Sequence, residues 1–383
     1  KNPWSKLDTE SYPFIAFQGV LENDFMHLHF RIHKNDLEVK QNDVSNQYLL
    51  QTESPLSAAP QWLKNHRTKG MDVLVQDVNN KLYLFSDKGN LYWKKQLPGQ
   101  IQGTVQQIDL YKNKRLQMAF RTEDKFFVLD RNGKIVKPFS IKIPATEPIQ
   151  QLAVFDYDQR RNYRFVLAQG ESVRMYDNKG KGVSGFTFKK TKTPIINPPV
   201  HIRIDKKDYI AVQEESGKLN LLNRVGKSRI KAKESIPFSG TPVSSYLKTF
   251  TTSDTEGNLV QVDTKGNVIK TPLGLVSDHT IATTTKSLVT LSENILTIKG
   301  IPITLPYGRY TAPKIFYINN IIYVTTTDLD AQKVYLYFSN GTAVSGFPVY
   351  GTSAADLANA DSDKAIELVV QSESNGMLIY EIN

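Results

Sequence analysis

The sequence predicts an all-β fold, a β-propeller of eight four-stranded blades, and three observations carry that prediction. A turn glycine recurs at Gly89, Gly133, Gly180, Gly226, Gly266, Gly300 and Gly341, at a mean spacing of 42 residues. Phe139, Phe186 and Phe347 each follow their glycine by six residues, so these repeats share a register as well as a composition. Eight pairs of apolar strand segments can be counted, near 73–86, 116–130, 164–177, 209–223, 249–263, 287–299, 321–338 and 366–382. A period of about 40–50 residues with four short strands is the signature of a propeller blade.

Taken in order, residues 1–45 stand outside the repeat. Phe14–Glu22 and Phe25–Lys34 read as a β-hairpin turning at Asn23-Asp24. A lone hairpin is marginal in water, so this segment is expected to dock on the main body or to end a preceding domain. The propeller is expected over 46–383. Gln47–Thr52 is a short strand that stops at Ser54-Pro55. Residues 72–97 show the repeating unit best. Val73–Gln76 and Lys81–Phe85 are apolar runs split by Asn79-Asn80, and Asp87-Lys88-Gly89-Asn90 turns the chain into Leu91–Leu97. Asp and Asn tolerate left-handed backbone angles and bond their own turn, while Gly reaches positive φ without a clash. The middle strands are apolar on both faces, as in Val73-Leu74-Val75 and Leu82-Tyr83-Leu84-Phe85, where a strand wetted on one side would alternate. They are expected to lie sandwiched between blades. The last pair ends at the C-terminus without a fourth strand, and Gln47–Thr52 could supply it, closing the ring from the two ends of the chain. A pair of β-sandwich domains would not explain one period over so long a stretch. Seven blades is the alternative count, if one strand pair is a decoration. No segment has helical periodicity; Thr352–Asp361 could form one short helical turn at most.

Composition narrows the class. The chain has 383 residues, 40% hydrophobic and 22% charged, which is the balance of a folded globular protein. No stretch reaches the roughly 18 apolar residues of a membrane-spanning helix. The chain opens on Lys1-Asn2-Pro3 with neither Met nor an apolar signal core, so it reads as a mature or excerpted piece. Cysteine is absent, which removes thiol catalysis, Cys-zinc sites and disulfides. The formal charge of +10 fits nucleic acid, anionic lipid or an acidic protein surface as partner. Yet the basic pairs Lys94-Lys95, Arg160-Arg161, Lys189-Lys190 and Lys206-Lys207 are scattered along the chain, in the manner of residues that keep strand edges from aggregating.

Two resemblances follow from the residues. LYLFSDKGNLYWKKQL-PGQIQG resembles the pyrroloquinoline-quinone-type propeller repeat, in which an Asp-x-x-Gly turn leads into a Trp strand; Trp93 alone matches that Trp. IDLYKNKRLQMAF, FDYDQRRNYRFVL and ANADSDKAIELVV, with GFPV at 346–349, resemble the FG-GAP-type propeller repeat. Both cover most of residues 47–383 and imply one architecture. Among quinone-type propellers, an eight-bladed chain of this length without cofactor resembles the outer-membrane assembly propeller lipoproteins. The Lys- and Asn-rich, Tyr- and Phe-rich style also resembles envelope proteins of Bacteroidota. These resemblances imply a non-catalytic, protein-binding scaffold in a multi-subunit assembly or secretion complex of a bacterial envelope, at the periplasmic side of the outer membrane or the cell surface.

Gly180-Lys-Gly182-Val-Ser-Gly185 matches GxGxxG, but a strand pattern, Phe186-Thr-Phe-Lys-Lys, follows where dinucleotide binding needs a helix. FG-GAP propellers of the integrin type bind calcium through acidic loops, and the candidate pairs here are Asp156 with Asp158 and Asp361 with Asp363. Arg160 and Arg161 crowd the first pair and neither loop has the sharp-turn Gly, so these carboxylates are expected to bond their own turns. His27, His29 and His33 share a strand face with Arg31 and lack a third zinc ligand nearby; His66, His201 and His279 are isolated. GxSxG, HExxH and the phosphate-binding loop are absent. Three Trp are too few for a quinone pocket, and no carboxylate cluster suits a nuclease. Basic residues mixed with aromatics at Phe186–Lys190 and Tyr307–Tyr310 could stack single strands, but read more simply as blade edges. The expectation is therefore no catalytic residue, no cofactor and no metal. Two alternatives stand beside the scaffold: a propeller that binds a polyanion, nucleic acid or lipid headgroups, and an enzyme with its site at the channel mouth.

Overall fold

In the structure, a computed structural model, residues 14–22, 25–33, 43–144 and 146–383 are described, the first two segments through their backbone alone. The chain divides into two compact units, Lys1–Asp43 and Val44–Asn383. In the first, Phe14–Glu22 and Phe25–His33 pair antiparallel from Phe14 opposite His33 to Glu22 opposite Phe25. The turn at Asn23-Asp24 lies outside the described residues.

The second unit is an eight-bladed β-propeller. Blades 1 to 7 cover 61–96, 106–142, 153–190, 200–231, 244–272, 280–304 and 314–350, and their strands pair in chain order, each antiparallel to the next. Blade 8 takes its first three strands from Asp356–Ala358, Ile366–Gln371 and Gly376–Ile382, and its outer strand from Val44–Gln51 at the other end of the unit. That outer strand pairs with Gly376–Ile382 from Val44 opposite Ile382 to Gln51 opposite Gly376. The expected closure is therefore present, through a strand at 44–51 rather than 47–52. Eight blades, not seven, make the ring.

Burial explains why. The second and third strands of most blades are buried on both faces: Val73, Leu74 and Val75 pair with Phe85, Leu84 and Tyr83, all at most 4% exposed. The apolar clusters that hold them lie between blades. Trp62, Val73 and Phe85 of blade 1 pack with Val369, Met377 and Ile379 of blade 8. Phe126 and Phe139 of blade 2 pack against Phe165 of blade 3. All seven marker glycines sit in turns between third and fourth strands at φ of 69–84°. At Gly266 the approach is also close, since a Cβ there would lie 2.2 Å from the Lys231 carbonyl oxygen of the preceding blade.

Three local expectations are corrected. Thr352–Asp361 has no helical turn: Asp356–Ala358 is the inner strand of blade 8. Phe186–Lys190 is not a regular strand. The outer edge of blade 3 is held by two isolated bridges, Tyr176 with Gly182 and Ser172 with Lys190. Between them Phe186 N–H bonds Val183 in a turn, and Thr187 N–H donates to Val225 of the next blade. Tyr307–Tyr310 is the link between blades 6 and 7, where the Tyr310 hydroxyl donates to the Pro306 carbonyl.

Because strands within a blade alternate in direction, turns joining strands 1–2 and 3–4 leave one end of the ring. Turns joining strands 2–3, and the links between blades, leave the other. The first end is called the turn end below and the second the link end.

Candidate functional site

Both candidate acidic pairs, Asp156 with Asp158 and Asp361 with Asp363, lie at the turn end, between first and second strands. In blade 8 the loop runs from Asn359 to Glu367. Asp361, Asp363 and Glu367 each offer a carboxylate oxygen, all within 4.8 Å of one another. Loop bonds set the first two: Asp361 Oδ1 accepts from Asp363 N–H and Asp363 Oδ1 from Ala365 N–H. Asn359 is turned to the backbone, accepting from Ser362 N–H and donating to the Asp363 carbonyl. Glu367 is the second residue of the second strand, Ile366–Gln371, and is 6% exposed. Its Oε2 accepts from Ala360 N–H, while its Oε1 is buried without a hydrogen-bond partner. Burial, with Asp361 and Asp363 alongside, pushes Glu367 up to about 7.

The matching loops of blades 2 and 3 solve the same problem differently. Gln117 stands at the position of Glu367 and accepts from Leu110 N–H as Glu367 does from Ala360. Asp109, which opens that loop, accepts from Asn113 and Lys114 N–H, and Arg161 of blade 3 reaches it at 3.0 Å. In blade 3, Asp156 accepts from Arg161 N–H, and Asp158 is met by Arg224 of blade 4 at 2.6 Å. An arginine from the following blade thus neutralises each of these loops. Among the described residues no Lys or Arg forms an ion pair with Asp361, Asp363 or Glu367. Oxygens bound to one calcium at about 2.3–2.6 Å lie no more than about 5 Å apart. The blade 8 donor set, with one orphaned buried oxygen, fits a single hard divalent cation.

Sequence reasoning paired Asp361 with Asp363 but missed Glu367, whose place in the apolar run ELVV hid it. The spacing Asn359-x-Asp361-x-Asp363-x3-Glu367 was the available signal. In the other acidic pair, Asp156 bonds its own turn as expected, whereas the cation that meets Asp158 is Arg224, remote in sequence, and the Arg161 side chain goes to Asp109 instead.

A second cluster lies in blade 4. Asp208 is 5% exposed and accepts from His201 Nε2 at 2.9 Å, Arg203 Nη1 at 3.1 Å and Arg224 Nε at 2.8 Å. Burial opposes its charge, yet His201 and Arg224 hold the carboxyl below the usual range. Arg224 also lies 4.9 Å over the Tyr157 ring, against which His201 packs edge-on. The cluster is a crossed set of ion pairs tying blade 3 to blade 4. His66, pushed down by burial, accepts from Leu116 N–H and so joins blade 1 to blade 2. His27, His29, Arg31 and His33 follow one another at every second position on the hairpin strand; their side chains lie outside the described residues.

On the inner strands, which face the central channel, Lys314 of blade 7 donates to the Ala355 carbonyl, and Asp356 of blade 8 accepts from Trp62 N–H of blade 1 at 2.8 Å. Burial lowers Lys314 and raises Asp356. These bonds link blades 7, 8 and 1. Gly180–Gly185 lies in and beyond a third-to-fourth-strand turn with no helix after it, so the dinucleotide reading has no support here.

The class this architecture defines is the eight-bladed β-propeller. No protein-family model matches the chain, and no curated protein matches it. Among solved structures, the computationally designed Ika8 protein is similar with a TM-score of 0.60 and 11% identity, covering 88% of this chain and 99% of that one. BamB from Moraxella catarrhalis is similar with a TM-score of 0.55 and 14% identity, over 88% of this chain and 97% of that one. BBS1N, in a crystal structure in complex with ARL6DN, has a TM-score of 0.53 and 12% identity, over 89% and 97%. At these identities the likeness is one of fold.

Proposed function

We propose that this chain is a non-catalytic, protein-binding scaffold, working in a multi-subunit assembly of a bacterial cell envelope. One observation carries the binding mode. Every blade ends in an outer strand whose free edge could pair with another chain, and such edges are commonly blunted by Lys, Pro or shortness. Blade 1 has Lys94 and Lys95 there, blade 2 Lys137 and Pro138, blade 4 Arg229 and Lys231, blade 5 Lys270 and Pro272, and blade 6 Pro302. The outer strand of blade 7 is only Val349–Tyr350, and that of blade 3 has no continuous ladder.

Val44–Gln51 differs. Its eight residues, VSNQYLLQ, contain neither charge nor proline, and Leu49 is 60% exposed. A partner strand added to this edge would gain main-chain hydrogen bonds, with Tyr48 and Leu49 supplying apolar contact. The likeness of fold to BamB, and the resemblance of the repeat to outer-membrane assembly propellers, support the envelope setting. A complex between BBS1N and ARL6DN supports the general use of such a ring to hold another protein.

The test is affinity purification of the tagged chain from its own cells at 0.5 M salt, with Leu49→Lys in parallel. A partner retained by the parent and lost by the variant, at unchanged melting temperature, is expected. An identical set of captured proteins in both overturns edge binding.

A further inference from the structure

The lysines and arginines that look scattered in sequence are sorted by the fold. In the unit 44–383, the turn end carries 20 Lys and Arg against ten Asp and Glu. The link end carries four against 15. Counting turns and links alone, and leaving the strands aside, one end of the ring stands near +10 and the other near −11.

Several carboxylates of the turn end are folded onto backbone donors of their own turns. Asp130 Oδ1 accepts from Asn132 and Lys134 N–H, Asp177 Oδ1 from Lys179 and Lys181, and Asp263 Oδ1 from Lys265 and Asn267, all at 2.8–2.9 Å. Asn223 makes the same bonds in blade 4 with no charge at all. The lysine side chains of these turns, at 134, 179, 181, 227 and 265, are exposed. Beside them stand exposed apolar tips: Tyr111, Leu247 and Tyr317 are 57–70% exposed, and Val225 is 45%.

We infer that the turn end of the ring docks on an anionic phospholipid surface. Two features favour a bilayer over nucleic acid. The positive charge of the turn end comes from the turns of seven of the eight blades rather than from one track. Its tips pair Tyr and aliphatic side chains with lysine, the mixture that settles at a headgroup boundary. The acidic end does not cancel the attraction. Second strands of five to eight residues separate the two ends by roughly 20 Å at 3.3 Å per residue, and charges are screened beyond about 8–10 Å at physiological salt. A membrane at the turn end meets the basic end alone. This inference goes beyond the scaffold reading and needs no protein partner.

The experiment is co-sedimentation of the full chain with vesicles of phosphatidylcholine, alone or with 30% phosphatidylglycerol (roughly, a strongly anionic surface), at low and high salt. Binding to the anionic vesicles only, weakened at least about tenfold between 0.1 and 0.5 M salt, is expected. Lys179→Glu, Lys181→Glu, Lys227→Glu and Lys265→Glu together should weaken it about tenfold or more at unchanged melting temperature. Glu215→Lys with Glu256→Lys, exposed on the link end, should leave it within about twofold, although it raises the net charge. The inference is overturned if anionic and neutral vesicles bind alike or not at all. It is also overturned if the link-end variant changes binding as much as the turn-end variant does, or if duplex DNA binds more tightly than the vesicles.

Discussion

Leu50 and Leu49 are neighbours in the strand that closes the ring, and they predict opposite outcomes on truncation. Leu50 is 2% exposed and packs in the cluster of Leu56, Trp62, Val75, Tyr83, Phe85, Met377 and Ile379, at the seam of blades 8 and 1. Gly89 of blade 1 lies against it as well, a Cβ there meeting Leu50 Cγ at 3.5 Å. Leu49 points the other way and is 60% exposed. Replacing a fully buried leucine by alanine removes its transfer free energy and leaves a cavity, about 2–5 kcal/mol together. Sheets on both sides fix the walls at this seam, so little collapse is available and the upper half of that range is expected. Against a total of about 5–15 kcal/mol this is a large fraction. Leu49→Ala should cost no more than about 0.5 kcal/mol. Urea unfolding followed by circular dichroism and by tryptophan fluorescence, to which Trp62 in the same cluster contributes, reads both. Equal effects, or a larger loss for Leu49, would refute the register, since a slip of one residue exchanges the two faces.

Calcium should raise the melting temperature of the parent protein and leave Glu367→Gln unmoved, because the glutamine keeps the Ala360 bond, as Gln117 does in blade 2, but offers one neutral oxygen. Without metal, Glu367 titrates near 7 in the folded chain and near 4.5 unfolded, so the folded state binds the extra proton between those values. Metal-free stability from this group is thus full below about pH 4.5 and lost as pH rises through about 7; Glu367→Gln should recover on the order of 3 kcal/mol at pH 8 and nothing at pH 4.5. A pH-independent difference in urea midpoints would contradict this. Gly70→Ala should destabilise by about 1–3 kcal/mol, because a Cβ there would lie 2.5 Å from the Ala360 carbonyl oxygen, which also accepts from Met71 N–H across the closing seam. Thermal melting would show it, and an unchanged midpoint would mean that the seam is looser than drawn.

The ring was legible because its physics is local and repeated. Gly89 through Gly341 mark one turn type, and the doubly apolar strands such as 73–75 and 82–85 announce burial on both faces. The closure was legible by subtraction, from a last strand pair that lacked a partner. What sequence reasoning lost depends on neighbours across blades. Phe186–Lys190 has strand composition, yet Phe186 N–H turns back to Val183 and Thr187 N–H goes to Val225 of the next blade. Arg224 cannot be matched with Asp158 until two blades are set side by side. Glu367 hides in an apolar run because its carboxylate is turned into the loop before it. The separation of charge escaped for the same reason: basic and acidic turns alternate along the chain, and only the alternating strand direction sends them to opposite ends.

The claim on which all of this rests is that residues 44–51 complete the last blade. The chain has no cysteine, so a disulfide can be installed without competition. Ser45 lies directly opposite Glu381, while Val44 is opposite Ile382. With Ser45→Cys and Glu381→Cys, side chains on the same face across one strand pair, mild oxidation should give a single intramolecular bond, seen as a faster band on a non-reducing gel. Val44→Cys with Glu381→Cys, one residue out of register and on opposite faces, should stay reduced. Failure of the first pair to join, or equal joining of both, would contradict the closed ring.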